Sequence, residues 1–67
     1  VKFRTGDRVM KNGAGYNGPG EVVVGFLGKD GHPRYVVAHN IEGGRGEFYH
    51  IYSEAQLSAF LTRKDHL

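Results

Sequence analysis

The chain has 67 residues, no cysteine and a formal net charge of +2 with histidine neutral. That is one domain, 1–67, and it excludes a disulfide framework and thiolate metal sites. The small charge excess excludes a nucleic-acid-binding tail, and no stretch is apolar for long enough to span a membrane. A chain this short buries only about 60% of the surface its unfolded form exposes. It therefore needs a very regular fold or self-association. Lack of cysteine fits a cytoplasmic protein. Val1 in place of Met points to a processed or trimmed N-terminus.

Lys2 to Arg4 reads as an extended lead and Thr5-Gly6-Asp7 as a turn. Asp7 to Lys11 alternates as a first strand, with Arg8 and Met10 on one face and Val9 and Lys11 on the other. Asn12 to Gly20 holds four glycines, two asparagines and one proline, the composition of a surface loop. Tyr16 is its one large side chain and is expected to fold back as a lid, with a ligand-stacking ring as the other reading. The loop is no phosphate cradle, because no Gly-Lys-Ser/Thr and no helix follows it.

Glu21 to Leu27 is the second strand. Its three consecutive valines imply burial on both faces, or one face covered by a partner subunit. Gly25 marks a bulge or bend within it. Gly28 to Gly31 is a turn, and Arg34 to His39 the third strand. Asn40 to Gly46 is a solvated connection. Glu47 to Tyr52 is a dense aromatic and β-branched strand. Alternation puts Phe48, His50 and Tyr52 on one face and Glu47, Tyr49 and Ile51 on the other. Ser53 and Gln56 form a capping box that opens a C-terminal helix to about Thr62, with Leu57, Phe60 and Leu61 as its apolar stripe. Arg63 and Lys64 follow at the end favoured by the macrodipole. Four to five short strands and one terminal helix make an all-β small barrel.

Ser53 and Ser58 lack a nucleophile-elbow setting, and the seven carboxylates are scattered without forming an acid-base pair. The four histidines lack metal-ligand spacing. His32, His39 and His66 read as solvated. His50, mid-strand between rings, reads either as a core or interface histidine or as a site residue.

Gly6-Asp7-Arg8-Val9-x-Lys11, Tyr35-x-Val37 and Ile51-Tyr52-x-x-Ala55-x-Leu57 together resemble the plasmid-encoded type II (type B) dihydrofolate reductases. Those enzymes are trimethoprim-insensitive and unrelated to the chromosomal reductase. The likeness runs from Gly6 to Leu57, with gaps in both glycine loops. It implies a small Src-homology-3-like barrel of four to five strands with a short C-terminal helix. It also implies a homotetramer with D2 symmetry whose central pore is the active site.

NADPH and dihydrofolate would enter that pore from opposite ends. Carried over, the backbone of Ile51 would hold the nicotinamide carboxamide and the pterin, and Tyr52 would contact the cofactor. Lys11 would sit near the pore mouth and attract the phosphates of NADPH and the glutamate tail of the folate. His50 takes the place of the family's glutamine and, when neutral, offers one donor and one acceptor as an amide does. The pterin N5 proton would come from water. His50, Phe48 and the longer loops depart from the family pattern. The competing expectation is a non-catalytic barrel module that binds a protein or nucleic-acid partner through Tyr16, Tyr49, Tyr52 and Lys11.

Overall fold

Short alternating segments separated by glycine turns can bury one face only by pairing side by side. A computed structural model of the chain describes residues 2–41 and 46–60. Within them lie β1 (Arg8–Lys11), β2 (Gly18–Leu27), β3 (Pro33–Asn40), β4 (Glu47–Ser53) and β5 (Leu57–Ala59), with one 3-10 turn, Glu54–Gln56, before β5. All pairings are antiparallel, in the order β4-β3-β2-β1-β5.

The largest boundary difference from the sequence reading is in β2. β2 begins at Gly18, because Gly18 to Glu21 pairs with β1 while Val24 to Leu27 pairs only with β3. Gly-Pro-Gly has poor strand propensity, yet tertiary pairing overrides it. At Gly20 a Cβ would lie 2.5 Å from Val37 Cγ1 and 3.0 Å from His39 Cε1, so glycine makes room for two inner side chains of β3. The bulge falls between Val22 and Val24, not at Gly25. Gly25 instead yields space to the Tyr35 ring, 3.0 Å from where its Cβ would stand. The bulge also separates the valines: Val22 is buried, whereas Val23 and Val24 stay exposed.

The C-terminal helix is the main correction. Gln56 Oε1 accepts a hydrogen bond from the Ser53 backbone N–H at 2.9 Å, so the capping box forms. The helix nevertheless stops after one turn. Leu57 is extended, with φ −120° and ψ 148°, and opens β5. Pairing of β5 with β1, from Lys11↔Leu57 to Val9↔Ala59, buries Leu57 and covers what would otherwise be an open edge of β1. The remainder of the expected helix, with Leu61, Thr62, Arg63 and Lys64, lies outside the described residues, as do His66 and most of the Asn40–Gly46 connection.

β4 and β5 are the two outermost strands, yet only Glu54–Gln56 separate them. Across a flat sheet they would be roughly 19 Å apart, at about 4.8 Å per spacing. A three-residue 3-10 turn advances only about 6 Å. The sheet is therefore curled, although among the described residues β4 and β5 share no ladder and the barrel is not closed.

Inside the curl lie Val9, Val22, Tyr35, Val37, Tyr52 and Leu57, plugged at one end by Phe3. Phe3 meets the Tyr35 ring edge-on at 5.3 Å. The Tyr35 hydroxyl accepts from the backbone N–H of Lys2 and Phe3 and donates to Glu54 Oε2. Glu54 Oε2 also accepts from Lys2 N–H at 3.0 Å. This network ties the N-terminal lead to the β4–β5 turn. Burial, then the bond to Glu54, pushes the Tyr35 hydroxyl above its ordinary value. The Tyr35 hydroxyl, then the Lys2 N–H, holds the Glu54 carboxyl below its own.

A carboxyl whose folded value is depressed stabilises the fold above the ordinary carboxylate range and loses that contribution as pH falls through the folded value. The melting temperature of the wild type is therefore expected to drop more between pH 7 and about pH 3 than that of Glu54→Gln, measured by circular dichroism. Gly20→Ala is expected to cost about 1–3 kcal/mol in urea unfolding, because a close-packed inner face must shift to admit its methyl.

Candidate functional site

β4 is an edge strand, and what it offers depends on which residues turn their backbone away from β3. Two hydrogen bonds fix that phase. Ile41 N–H donates to Gly46 O at 2.8 Å, one step beyond the Asn40↔Glu47 pair. At the other end Ser53 N–H is taken by Gln56 and not by β3. In an antiparallel ladder bonded and non-bonded pairs alternate. Phe48, His50 and Tyr52 therefore exchange backbone bonds with His39, Val37 and Tyr35. Glu47, Tyr49 and Ile51 turn their N–H and C=O outward. The Ile51 side chain is 56% exposed, so this donor–acceptor pair stands at an accessible edge.

Side chains follow the expected alternation. Tyr49 and Ile51 lie on the outer face, where the cross-strand row Val24–Val36–Ile51 forms an apolar strip. The Tyr49 hydroxyl donates to Glu47 Oε2 at 2.6 Å, and that bond raises its pKa. Phe48, His50 and Tyr52 lie on the inner face.

There the rings form one cluster. His39 stacks on Phe48 at 5.1 Å, and Tyr16 packs edge-on against both, at 4.8 Å from His39 and 5.4 Å from Phe48. Tyr16 thus folds back over the inner face as a lid. The Tyr52 ring lies 5.6 Å from His39 and 4.8 Å from His50. Burial, then proximity to Tyr16, raises the Tyr52 hydroxyl above its ordinary value.

His39 is not solvated, as its lone position in the sequence suggested, but fully buried. Its two nitrogens explain why burial is tolerable: Nδ1 lies 2.8 Å from Pro19 O and Nε2 2.9 Å from the Tyr52 hydroxyl. The signal that identifies it is the spacing Tyr35-x-Val37-x-His39, three residues of one strand face of which two are plainly core.

The structure places the four site residues at two depths. His50 and Ile51 are exposed at the β4 edge, with His50 Nδ1 3.2 Å from the Tyr52 hydroxyl. Tyr52 and Lys11 lie beneath, 3% and 2% exposed. Lys11 Nζ sits 5.4 Å from the Tyr52 ring centroid and donates to Asn12 O at 2.9 Å and Ala14 O at 2.8 Å. Its charge anchors the glycine loop, and the loop covers it. Among the described residues no group of histidines and carboxylates is placed to hold a metal ion, and no helix is long and apolar enough to cross a membrane. No family model, curated protein or solved structure matches the chain.

Two charge-assisted bonds to loop carbonyls make Lys11 the clasp of the Asn12–Tyr16 segment. Lys11→Met is expected to speed amide exchange across that segment by at least about tenfold, the size of one such bond. Unchanged protection in the exchange experiment would show that the loop is held otherwise.

Proposed function

We propose that the chain reduces dihydrofolate to tetrahydrofolate with NADPH, insensitively to trimethoprim, as one Src-homology-3-like protomer of a homotetramer. The observation that carries this reading is the outward N–H and C=O of Ile51 at an exposed edge, beside His50. A primary carboxamide, such as that of nicotinamide, is matched by one donor and one acceptor held on a rigid strand. When bound, NADPH supplies the hydride. The chain's own contribution is to hold two rings face to face, which by itself yields a large part of such a rate.

The curl of the sheet supports the barrel. One protomer presents one copy of the β4 edge and cannot enclose two ligands with it, so the reading needs copies of β4 brought around a common axis. The exposed apolar strip Val24–Val36–Ile51, flanking that edge, gives association something to bury. Tyr52 acts from behind the edge through its hydroxyl. For Lys11 to meet the phosphates of NADPH the Asn12–Tyr16 loop must lift from it.

A second reading rests on the same edge. The outward backbone groups of Tyr49 and Ile51 form a row that an extended peptide can extend as a further strand, which makes the chain a non-catalytic binding module. One experiment separates the two. NADPH oxidation is followed with dihydrofolate, with and without trimethoprim, alongside sedimentation of the same sample. The reductase reading expects oxidation unaffected by trimethoprim from a species of four chains. A monomer at micromolar concentration that oxidises no NADPH would end it and leave the peptide-binding edge.

A further inference from the structure

Four polar groups of the inner face form one thread: Pro19 O, the His39 ring, the Tyr52 hydroxyl and His50 Nδ1, at 2.8, 2.9 and 3.2 Å in succession. The direction of its hydrogens follows from what each group can do. A carbonyl oxygen only accepts, so His39 Nδ1 carries a hydrogen. In a neutral imidazole the other nitrogen is then bare, so His39 Nε2 accepts and the Tyr52 hydroxyl donates to it. The single hydrogen of that hydroxyl is now used. His50 Nδ1, on the other side of the same oxygen, must be the donor. Neutral His50 is thereby held with its hydrogen on Nδ1 and a bare lone pair on Nε2, at the exposed edge beside Ile51.

We propose that Tyr52 and His39 are positioning residues that lock His50 in the Nδ1–H tautomer, making Nε2 an acceptor when neutral and a proton donor to a ligand ring nitrogen once protonated. The donor half rests on the reductase reading; the tautomer half does not. In the donor step the Nε2–H bond of the imidazolium breaks and its electron pair stays on nitrogen. The proton joins the pterin N5, replacing the one that the family resemblance would take from water, as hydride reaches the adjacent carbon. The imidazole left behind is already the tautomer that the thread stabilises, so no rearrangement follows the transfer.

His50 then does what the family's glutamine cannot: an amide at that place has no proton to give, whereas a protonated imidazole has one. Among the described residues the other titratable or charged groups that face this thread are Tyr16 from the loop and Lys11 from β1. Among the described residues no carboxylate bonds to any of the three side chains. The lock is therefore set, among the described residues, by the carbonyl, imidazole and hydroxyl groups of the thread itself.

Long-range proton–nitrogen correlation spectra of uniformly labelled protein at pH 8 test the lock. Both His39 and His50 are expected to carry hydrogen on Nδ1. In Tyr52→Phe, His39 keeps that form through Pro19, while His50 moves to the Nε2–H form that an unconstrained histidine side chain favours. A wild-type His50 with hydrogen on Nε2, or a doubly protonated His39, reverses the thread and overturns the proposal. The wild-type spectrum decides this even where Tyr52→Phe does not fold.

For the donor half, turnover of NADPH with dihydrofolate is followed from pH 8 to pH 6 at a protein concentration that keeps the assembly intact. Wild-type kcat is expected to rise as pH falls. His50→Gln is expected to give a flat profile at least about tenfold lower at pH 6. Matching profiles would remove the donor role. A wild type that oxidises no NADPH at any pH ends the reductase reading and the donor role together, and the spectrum alone then decides the lock.

Discussion

The three-residue link between β4 and β5 governs this molecule. It joins the two outermost strands of a five-stranded sheet, and no flat arrangement lets it reach. Curling follows, and from curling come the enclosed inner face and the burial of Leu57. The same turn supplies Glu54, whose carboxylate gathers the Tyr35 hydroxyl and the Lys2 N–H. Thus the N-terminal lead, the middle strand and the end of the sheet are fastened at one point. In a chain of 67 residues without cysteine, this fastening comes from connection geometry and hydrogen bonds.

The enclosed face is unusually polar for so small a core. Lys11, His39, Tyr35 and Tyr52 all lie within it, and each has partners: loop carbonyls for Lys11, Pro19 O and Tyr52 for His39, backbone N–H groups and Glu54 for Tyr35. Burying such groups unpaired would cost about 1–3 kcal/mol apiece. Paired, they fix geometry. The inner side chains are held in direction as well as in place, and the His50 ring at the rim inherits that order through Tyr52. Rigidity at the β4 edge thus originates deeper in the sheet, on β3 and at Pro19.

What the sequence discloses is uneven for physical reasons. Strand faces were legible wherever apolar and polar residues alternate, as in Arg8–Lys11 and Glu47–Tyr52, because a period of two has one structural meaning. Gly18-Pro19-Gly20 was not, since its strand character comes from partners on either side and from the bulk of Val37 and His39 opposite. The capping box at Ser53 and Gln56 was legible and forms. It marks a start, however, and holds no information on where the helix ends. Leu57 stops it by pairing with Lys11, 46 positions away. At the candidate site, the placing of Ile51 on the exposed face of β4 was legible from alternation. The burial of Lys11, Tyr52 and His39 depends on which residues the curl encloses, and a linear pattern with no core boundary does not show that.

The pairings also imply an order of assembly. β2, β3 and β4 are successive hairpins whose partners are close in the chain, whereas β1 and β5 come from opposite ends of the described segment. Local ladders form before distant ones, because less chain entropy is lost in closing them. During synthesis the β2–β3–β4 meander has its partners as soon as they emerge, while β1 waits for β5, which is made after the other four strands. The Lys11 strand therefore spends the longest time without its second neighbour. The final docking of Leu57 is the event that turns a curved meander into an enclosed fold.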